Sequence, residues 1–85
     1  MAAVTIYTTP FCPYCARAKS LLKKKNVAFE EIDVMATPGK RAEMESRSGR
    51  RTVPQIFAGD RHLGGCDDIH ALDAAGKLDP ILAGA

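Results

Sequence analysis

Val4-Thr5-Ile6-Tyr7-Thr8-Thr9-Pro10-Phe11-Cys12-Pro13-Tyr14-Cys15 decides the fold, because it passes from a strand to a helix start with two thiols at the junction. Its first five residues are β-branched or aromatic and Thr9-Pro10 closes the run, which reads as a strand. Strong helix formers fill Ala16 to Lys25, and Pro13 suits a first helical position, where its missing N–H is no loss. Cys15, Ala18 and Leu22 are spaced for one helical face, with Leu21 beside them. Asn26 is the expected stop. Lys23, Lys24 and Lys25 fall where positive charge suits the negative end of the helix dipole, which accounts for them without a partner.

Further along, Val27 to Val34 mixes β-formers with Glu30, Glu31 and Asp33 and predicts a second strand with a solvated face. Thr37-Pro38 fits an N-cap and first helical position for a polar, one-sided helix that runs to Ser48, with Met44 as its core contact and Gly49 as its stop. Pro54 to Ala58 reads as a third strand, Gly59-Asp60 as a tight turn, and His62-Leu63 as a short antiparallel return. Cys66 or Asp67 opens a helix carrying Ile69, Ala71 and Leu72 that Gly76 ends. Asp79-Pro80 caps one last turn before a frayed Ala83-Gly84-Ala85. The expected architecture is α/β: a four-stranded mixed sheet, βαβ and then, after the polar helix, ββα, flanked by helices. Its first two strands are parallel through a right-handed crossover.

The 85 residues, 46% of them hydrophobic and 26% charged, fit one domain over 1–85 with a minimal core. Twelve Lys and Arg against ten Asp and Glu leave no basic footprint for nucleic acid. The charge-free run Met1 to Ala16 holds two prolines, has no basic n-region and is shorter than the roughly 20 apolar residues of a spanning helix, so neither membrane anchor nor secretion signal is expected. Three cysteines make an odd set for a disulfide framework and favour a cytoplasmic chain whose thiols serve chemistry.

Cys12 and Cys15, three apart at a helix start, share a face with side-chain origins roughly 5–6 Å apart, within reach of a disulfide. Cys12 sits where unpaired backbone N–H groups and the positive dipole end favour an anion, so it reads as the attacking thiol. Cys15, one turn in and more buried, reads as the resolving thiol. Stabilising a thiolate gains little in attack rate, and makes the sulfur a better leaving group when a second thiol attacks the mixed disulfide. Two rival readings are a pair of core cysteines and a zinc site. Cys12-x-x-Cys15 with Cys66-x-x-x-His70 supplies zinc-type ligands, with His62 to spare. The long gap between Cys15 and Cys66, filled by an autonomous α/β pattern, weighs against the metal.

The chain resembles the short bacterial dithiol glutaredoxins over essentially its whole length. The resemblance rests on Val4-Thr5-Ile6-Tyr7-Thr8, Phe11-Cys12-Pro13-Tyr14-Cys15, Thr52-Val53-Pro54-Gln55-Ile56-Phe57 and Gly64-Gly65-Cys66-Asp67-Asp68, in that order. It implies the thioredoxin fold and a monomeric thiol–disulfide oxidoreductase. Glutathione would be its co-substrate, with no permanently bound cofactor and no metal, and disulfide-containing or glutathionylated proteins its clients. By position, Cys12 would take up glutathione as a mixed disulfide and Cys15 would close the intramolecular one. Tyr14 would line the glutathione groove, Val53 would pair its backbone with the cysteinyl unit, Pro54 would be cis, and Thr52 would lie beside them. Gly65, Cys66 and Asp67 would receive the γ-glutamyl end through N–H groups and the Asp67 carboxylate. Family members commonly carry a lysine shortly before the first cysteine; here Thr8, Thr9, Pro10 and Phe11 stand there. Arg50 and Arg51 are candidates for the glycyl carboxylate, with Arg51 preferred.

Cys66 keeps three readings: a small buried residue beside the groove, a thiol modified on oxidation, or a metal ligand. His62 and His70 read as surface or hairpin residues, since exchange at an ionised Cys12 needs no histidine base. A thioredoxin-like protein recharged by a flavoprotein reductase is the enzymatic alternative. The non-enzymatic alternative is a binding module for zinc or for a [2Fe–2S] cluster bridged between two chains with glutathione as co-ligand; the resemblance weighs against the cluster, since glutaredoxins that carry one usually lack a proline where Pro13 stands.

Overall fold

β1 (Val4–Thr8), β2 (Phe29–Asp33), β3 (Gln55–Ala58) and β4 (Arg61–Gly64) form one sheet of order β2-β1-β3-β4 in a computed structural model that describes residues 3–84. β1 runs parallel to β2, Val4 opposite Phe29 and Thr8 opposite Asp33. On its other side it is antiparallel to β3, from Val4 opposite Ala58 to Tyr7 opposite Gln55. β3 and β4 make the expected antiparallel hairpin. The helices are α1 (Pro13–Lys24), α2 (Lys40–Ser48), α3 (Cys66–Ala74) and α4 (Leu78–Gly84). This is the thioredoxin-like α/β arrangement that the resemblance implied.

Alternation along the strands splits the core into two clusters. Val4 and Ile6 of β1, with Ile56 and Ala58 of β3, face Ala18, Leu21 and Leu22 of α1, Ile69 of α3 and Leu78 of α4. Tyr7 and Phe57 face the other way and meet Val34 and Met44. Ile6, Leu22, Ile56 and Ile69 are fully buried, each contributing about 1.5–3 kcal/mol of hydrophobic stabilisation. α2 is polar on every side but one and docks through Met44, as expected, and through a polar clasp. The Tyr7 hydroxyl donates to Glu43 and accepts from Arg47 Nη1 at 2.8 Å, while the Arg47 guanidinium lies 4.1 Å from the Phe57 ring centroid.

Several boundaries differ from the sequence reading. Thr37-Pro38 forms a turn and does not open α2; Gly39, at φ 83, is the N-cap, a left-handed conformation that ends the turn and admits helix only from Lys40. α4 begins at Leu78, places Asp79 in its first turn and includes Ala83 and Gly84; Ala85 of the expected frayed end lies outside the described residues. Lys25 does have partners, Asp73 and Asp79, so the end of α1 is tied to α3 and α4.

Candidate functional site

Beyond Thr8 the chain must reverse into α1 within a few residues, and Phe11 takes up the turn at φ 62, left-handed backbone that costs a non-glycine residue roughly 1 kcal/mol. Its ring is completely exposed. Cys12 follows in extended conformation as the N-cap of α1, with Pro13 in the first turn. The Cys15 N–H donates to Cys12 Sγ at 3.2 Å, so the sulfur takes the place that a serine or aspartate oxygen fills at an ordinary N-cap. Cys12 is half-buried and its Sγ lies 4.0 Å from the Val53 carbonyl oxygen. Cys15 is buried; burial and the neighbouring Cys12 sulfur together push its thiol up to about 12.

Two cavities flank this pair. One, of about 280 Å³, is a groove with Tyr14 on the α1 side and Arg50, Thr52, Val53 and Pro54 in front of β3. Gly65, Cys66, Asp67 and Asp68 complete it at the start of α3. The Val53–Pro54 bond is cis, as the resemblance implied. The β1–β3 ladder ends at Gln55, which leaves the Val53 backbone outside the sheet. The other cavity, of about 480 Å³, lies beside Pro10, Cys12, Cys15 and Lys19. Lys19 is paired with Glu31 at 3.0 Å there, whereas the groove offers the first-turn N–H groups of a helix start to an anionic ligand.

Of the residues singled out from the sequence, the structure gathers Tyr14, Thr52, Val53, Pro54, Gly65, Cys66 and Asp67 around the groove and leaves Arg51 outside it. The Arg51 side chain is 89% exposed, with Nε 3.5 Å from Glu45. Its neighbour Arg50 lines the groove and pairs with Asp68 at 2.8 Å. Asp68, quoted in the resemblance, was given no role of its own. At the third position of α3 its carboxylate also accepts the Gly65 N–H at 2.8 Å, leaving the Cys66 and Asp67 amides as first-turn donors. Those two contacts hold the Asp68 carboxyl below its ordinary value. The Gly-x-x-Asp spacing was the available signal, a capping box without its serine. Gly64 makes room for it: at φ 111, a side chain there would start 2.4 Å from the Asp68 carboxylate.

Cys66 is buried in the larger core cluster, and burial pushes its thiol up. His70 Nδ1 lies 3.5 Å from its sulfur and only 2.8 Å from its carbonyl oxygen, so the ring N–H is directed to the backbone. Among the described residues no group of three or more His, Cys, Asp or Glu side chains is placed to hold a metal ion. No helix among them is long and apolar enough to cross a membrane.

A family model described as Glutaredoxin matches residues 4–63. The chain is 58% identical over 82 residues to Glutaredoxin 3 of Escherichia coli K12, an alignment that covers 96% of this chain and 99% of that one. The solution structure of a glutaredoxin from Brucella melitensis superposes with a TM-score of 0.84 at 62% identity, covering 96% of this chain and 89% of that one. The crystal structure of a buckwheat glutaredoxin–glutathione complex does so with 0.87 at 31% identity, covering 95% and 76%.

Proposed function

The chain belongs to the glutaredoxin family, the glutathione-dependent thiol–disulfide oxidoreductases, and from that premise we propose that it reduces protein disulfides and glutathione mixed disulfides through Cys12 and Cys15, as a cytoplasmic monomer. Cys12 attacks one sulfur of the substrate disulfide and forms a mixed disulfide, releasing the other sulfur as a thiolate that takes up a proton. Cys15 then attacks the Cys12 sulfur, closes the intramolecular disulfide and releases the second substrate thiol. Two glutathiones reopen it: the first forms a mixed disulfide on Cys12, and the second removes that glutathione as its oxidised dimer. A substrate that already carries glutathione needs Cys12 alone.

The observation that carries this reading is the placement of Cys12 Sγ, held by the Cys15 amide and 4.0 Å from the carbonyl of Val53, a residue that lines the groove. A tripeptide laid there as an added strand pairs its cysteinyl unit with Val53 and brings its thiol to Cys12. Tyr14, Thr52 and Pro54 form the walls around it. The γ-glutamyl carboxylate meets the amides at Cys66 and Asp67, next to Gly65, and the Asp67 carboxylate faces the α-ammonium. Arg50, paired with Asp68 beside those amides, adds its guanidinium at this same end of the ligand, and Arg51, the residue expected at the glycyl carboxylate, stands outside the groove.

Cys15 suits the second role because its reactivity is conditional. Part of what raises its thiol is the hydrogen bond and charge of the Cys12 sulfur, and both vanish once Cys12 is capped by a disulfide. Cys15 is thus held protonated in the resting enzyme by burial and by the Cys12 sulfur, and the second of these is lifted when there is a bond to attack. A coupled assay decides the reading: the oxidised protein is recycled by glutathione. Recycling by a flavoprotein thioredoxin reductase and not by glutathione would overturn it.

A further inference from the structure

Gln55 is the first residue of β3, and its side chain is completely buried. Burying an amide is unfavourable unless each polar atom finds a partner. Here all of them do, through contacts that are no part of the backbone ladder. Nε2 donates twice to the same residue, to the Thr52 carbonyl at 2.9 Å and to Thr52 Oγ1 at 3.1 Å. Oε1 lies 2.7 Å from His62 Nε2 on β4. The amide orientation follows from these contacts, since turning it over would set two oxygens against each other at Thr52. Its oxygen must therefore accept, which places the proton of His62 on Nε2. Imidazole in that tautomer and imidazolium both carry this N–H, so the strut survives protonation of the ring.

The residue it holds is on the ligand side. Thr52 and Val53 lie beyond the β1–β3 ladder, so pairing with β1 does not fix them. The bonds around Arg50 and Arg51, from Ser48 and Arg41, stop short of them. The His62 ring in turn is fixed against Phe57, with centroids 4.9 Å apart.

We propose that Gln55, braced by His62, is a positioning residue that holds the Thr52–Val53 edge of the groove in the place a docking tripeptide strand requires, an inference that rests on the glutathione reading above. Such a residue acts on affinity, because it spares the ligand the ordering of the loop, and leaves the sulfur chemistry at Cys12 untouched.

The experiment measures steady-state reduction of a small glutathione mixed disulfide, with that substrate varied at fixed glutathione, for the wild type and for Gln55→Leu, His62→Leu and His62→Gln. Gln55→Leu should raise the KM for the mixed disulfide at least threefold with kcat within twofold and the alkylation rate of Cys12 unchanged. His62→Leu, which removes the donor to Gln55, should shift KM in the same direction, and His62→Gln, which restores an N–H donor, should return it to near wild type. The double variant Gln55→Leu/His62→Leu should be no worse than Gln55→Leu alone. A KM that stays put, or kcat falling in step while KM does not move, would overturn the inference, as would fold-changes that multiply in the double variant. Should Gln55→Leu not fold, the two His62 variants carry the same comparison. A wild type that glutathione does not recycle sinks the parent reading, whereas a recycled wild type with unmoved variants sinks only this one.

Discussion

The backbone amide of Cys15 points at the sulfur of Cys12, 3.2 Å away across the first turn of α1. One cysteine thus supplies through its main chain a donor that favours an anion on the other, while its own thiol is held protonated by burial and by that same sulfur. The two residues share one local structure and have opposite tasks. Cys15→Ser, which keeps the amide, should retain at least half of the activity on glutathione mixed disulfides and lose most reduction of protein disulfides. Cys12→Ser should lose both, and full activity in that variant would refute the mechanism.

Accessibility ranks the three thiols in a way that mass spectrometry can read. Cys12 is half-buried at the groove edge, and Cys15 and Cys66 are buried with raised thiols. Reduced protein given limiting iodoacetamide at neutral pH should carry its first label on Cys12. Equilibration with oxidised glutathione should leave Cys66 unmodified; glutathione found there would revive its reading as a redox-modified thiol.

Adjacent arginines separate the groove from the surface around it. Arg50→Ala removes the guanidinium paired with Asp68 in the groove and should raise KM for glutathionylated substrate roughly three- to tenfold, as suits one hydrogen-bonding group worth about 1 kcal/mol at a half-exposed site. Arg51→Ala should stay within about twofold, as suits a side chain 89% exposed. The reverse order in a kinetic comparison would return the carboxylate to Arg51.

Asp68 gives the start of α3 an acid sensitivity of predictable sign. Its carboxyl is held low by the Gly65 N–H and the Arg50 guanidinium, so the folded protein keeps it ionised at a pH where the unfolded chain takes up a proton. The stability it supplies is present above the unfolded value of about 3.9 and is lost as pH falls through the lower folded one. Urea midpoints of wild type and Asp68→Asn should differ more at pH 6 than at pH 3. A difference that is the same at both would mean that the charge of Asp68 does not contribute.

Much of this was legible in the residues and some of it was not, for physical reasons. β1 could be placed to the residue because a β-branched run ended by Thr9-Pro10 has no competing periodicity, and α1 showed its apolar face through Cys15, Ala18 and Leu22. The start of α2 was misplaced because Pro38 satisfies the local rule for a first helical residue while Gly39 swings left-handed behind it. Arg50 and Arg51 could not be told apart: neighbours in an irregular segment point in directions set by the groove wall, not by spacing. The link between Gln55 and His62 could not be read, because a buried amide at a strand start becomes intelligible only when the loop it holds is in view.

The placement of β1 between β2 and β3 has a consequence for partly opened molecules. Its parallel partner begins at Phe29, whereas its antiparallel partner begins only at Gln55, a longer loop to close and so the costlier of the two pairings in chain entropy. Cys12, Tyr14 and Cys15 belong to the βαβ half; Thr52, Val53, Pro54 and the start of α3 arrive with the other. Local opening along the β1–β3 ladder therefore leaves the two thiols side by side on an intact helix start and takes away the wall that recognises a peptide. Discrimination among disulfides is the first property such a molecule loses, and thiol exchange outlasts it.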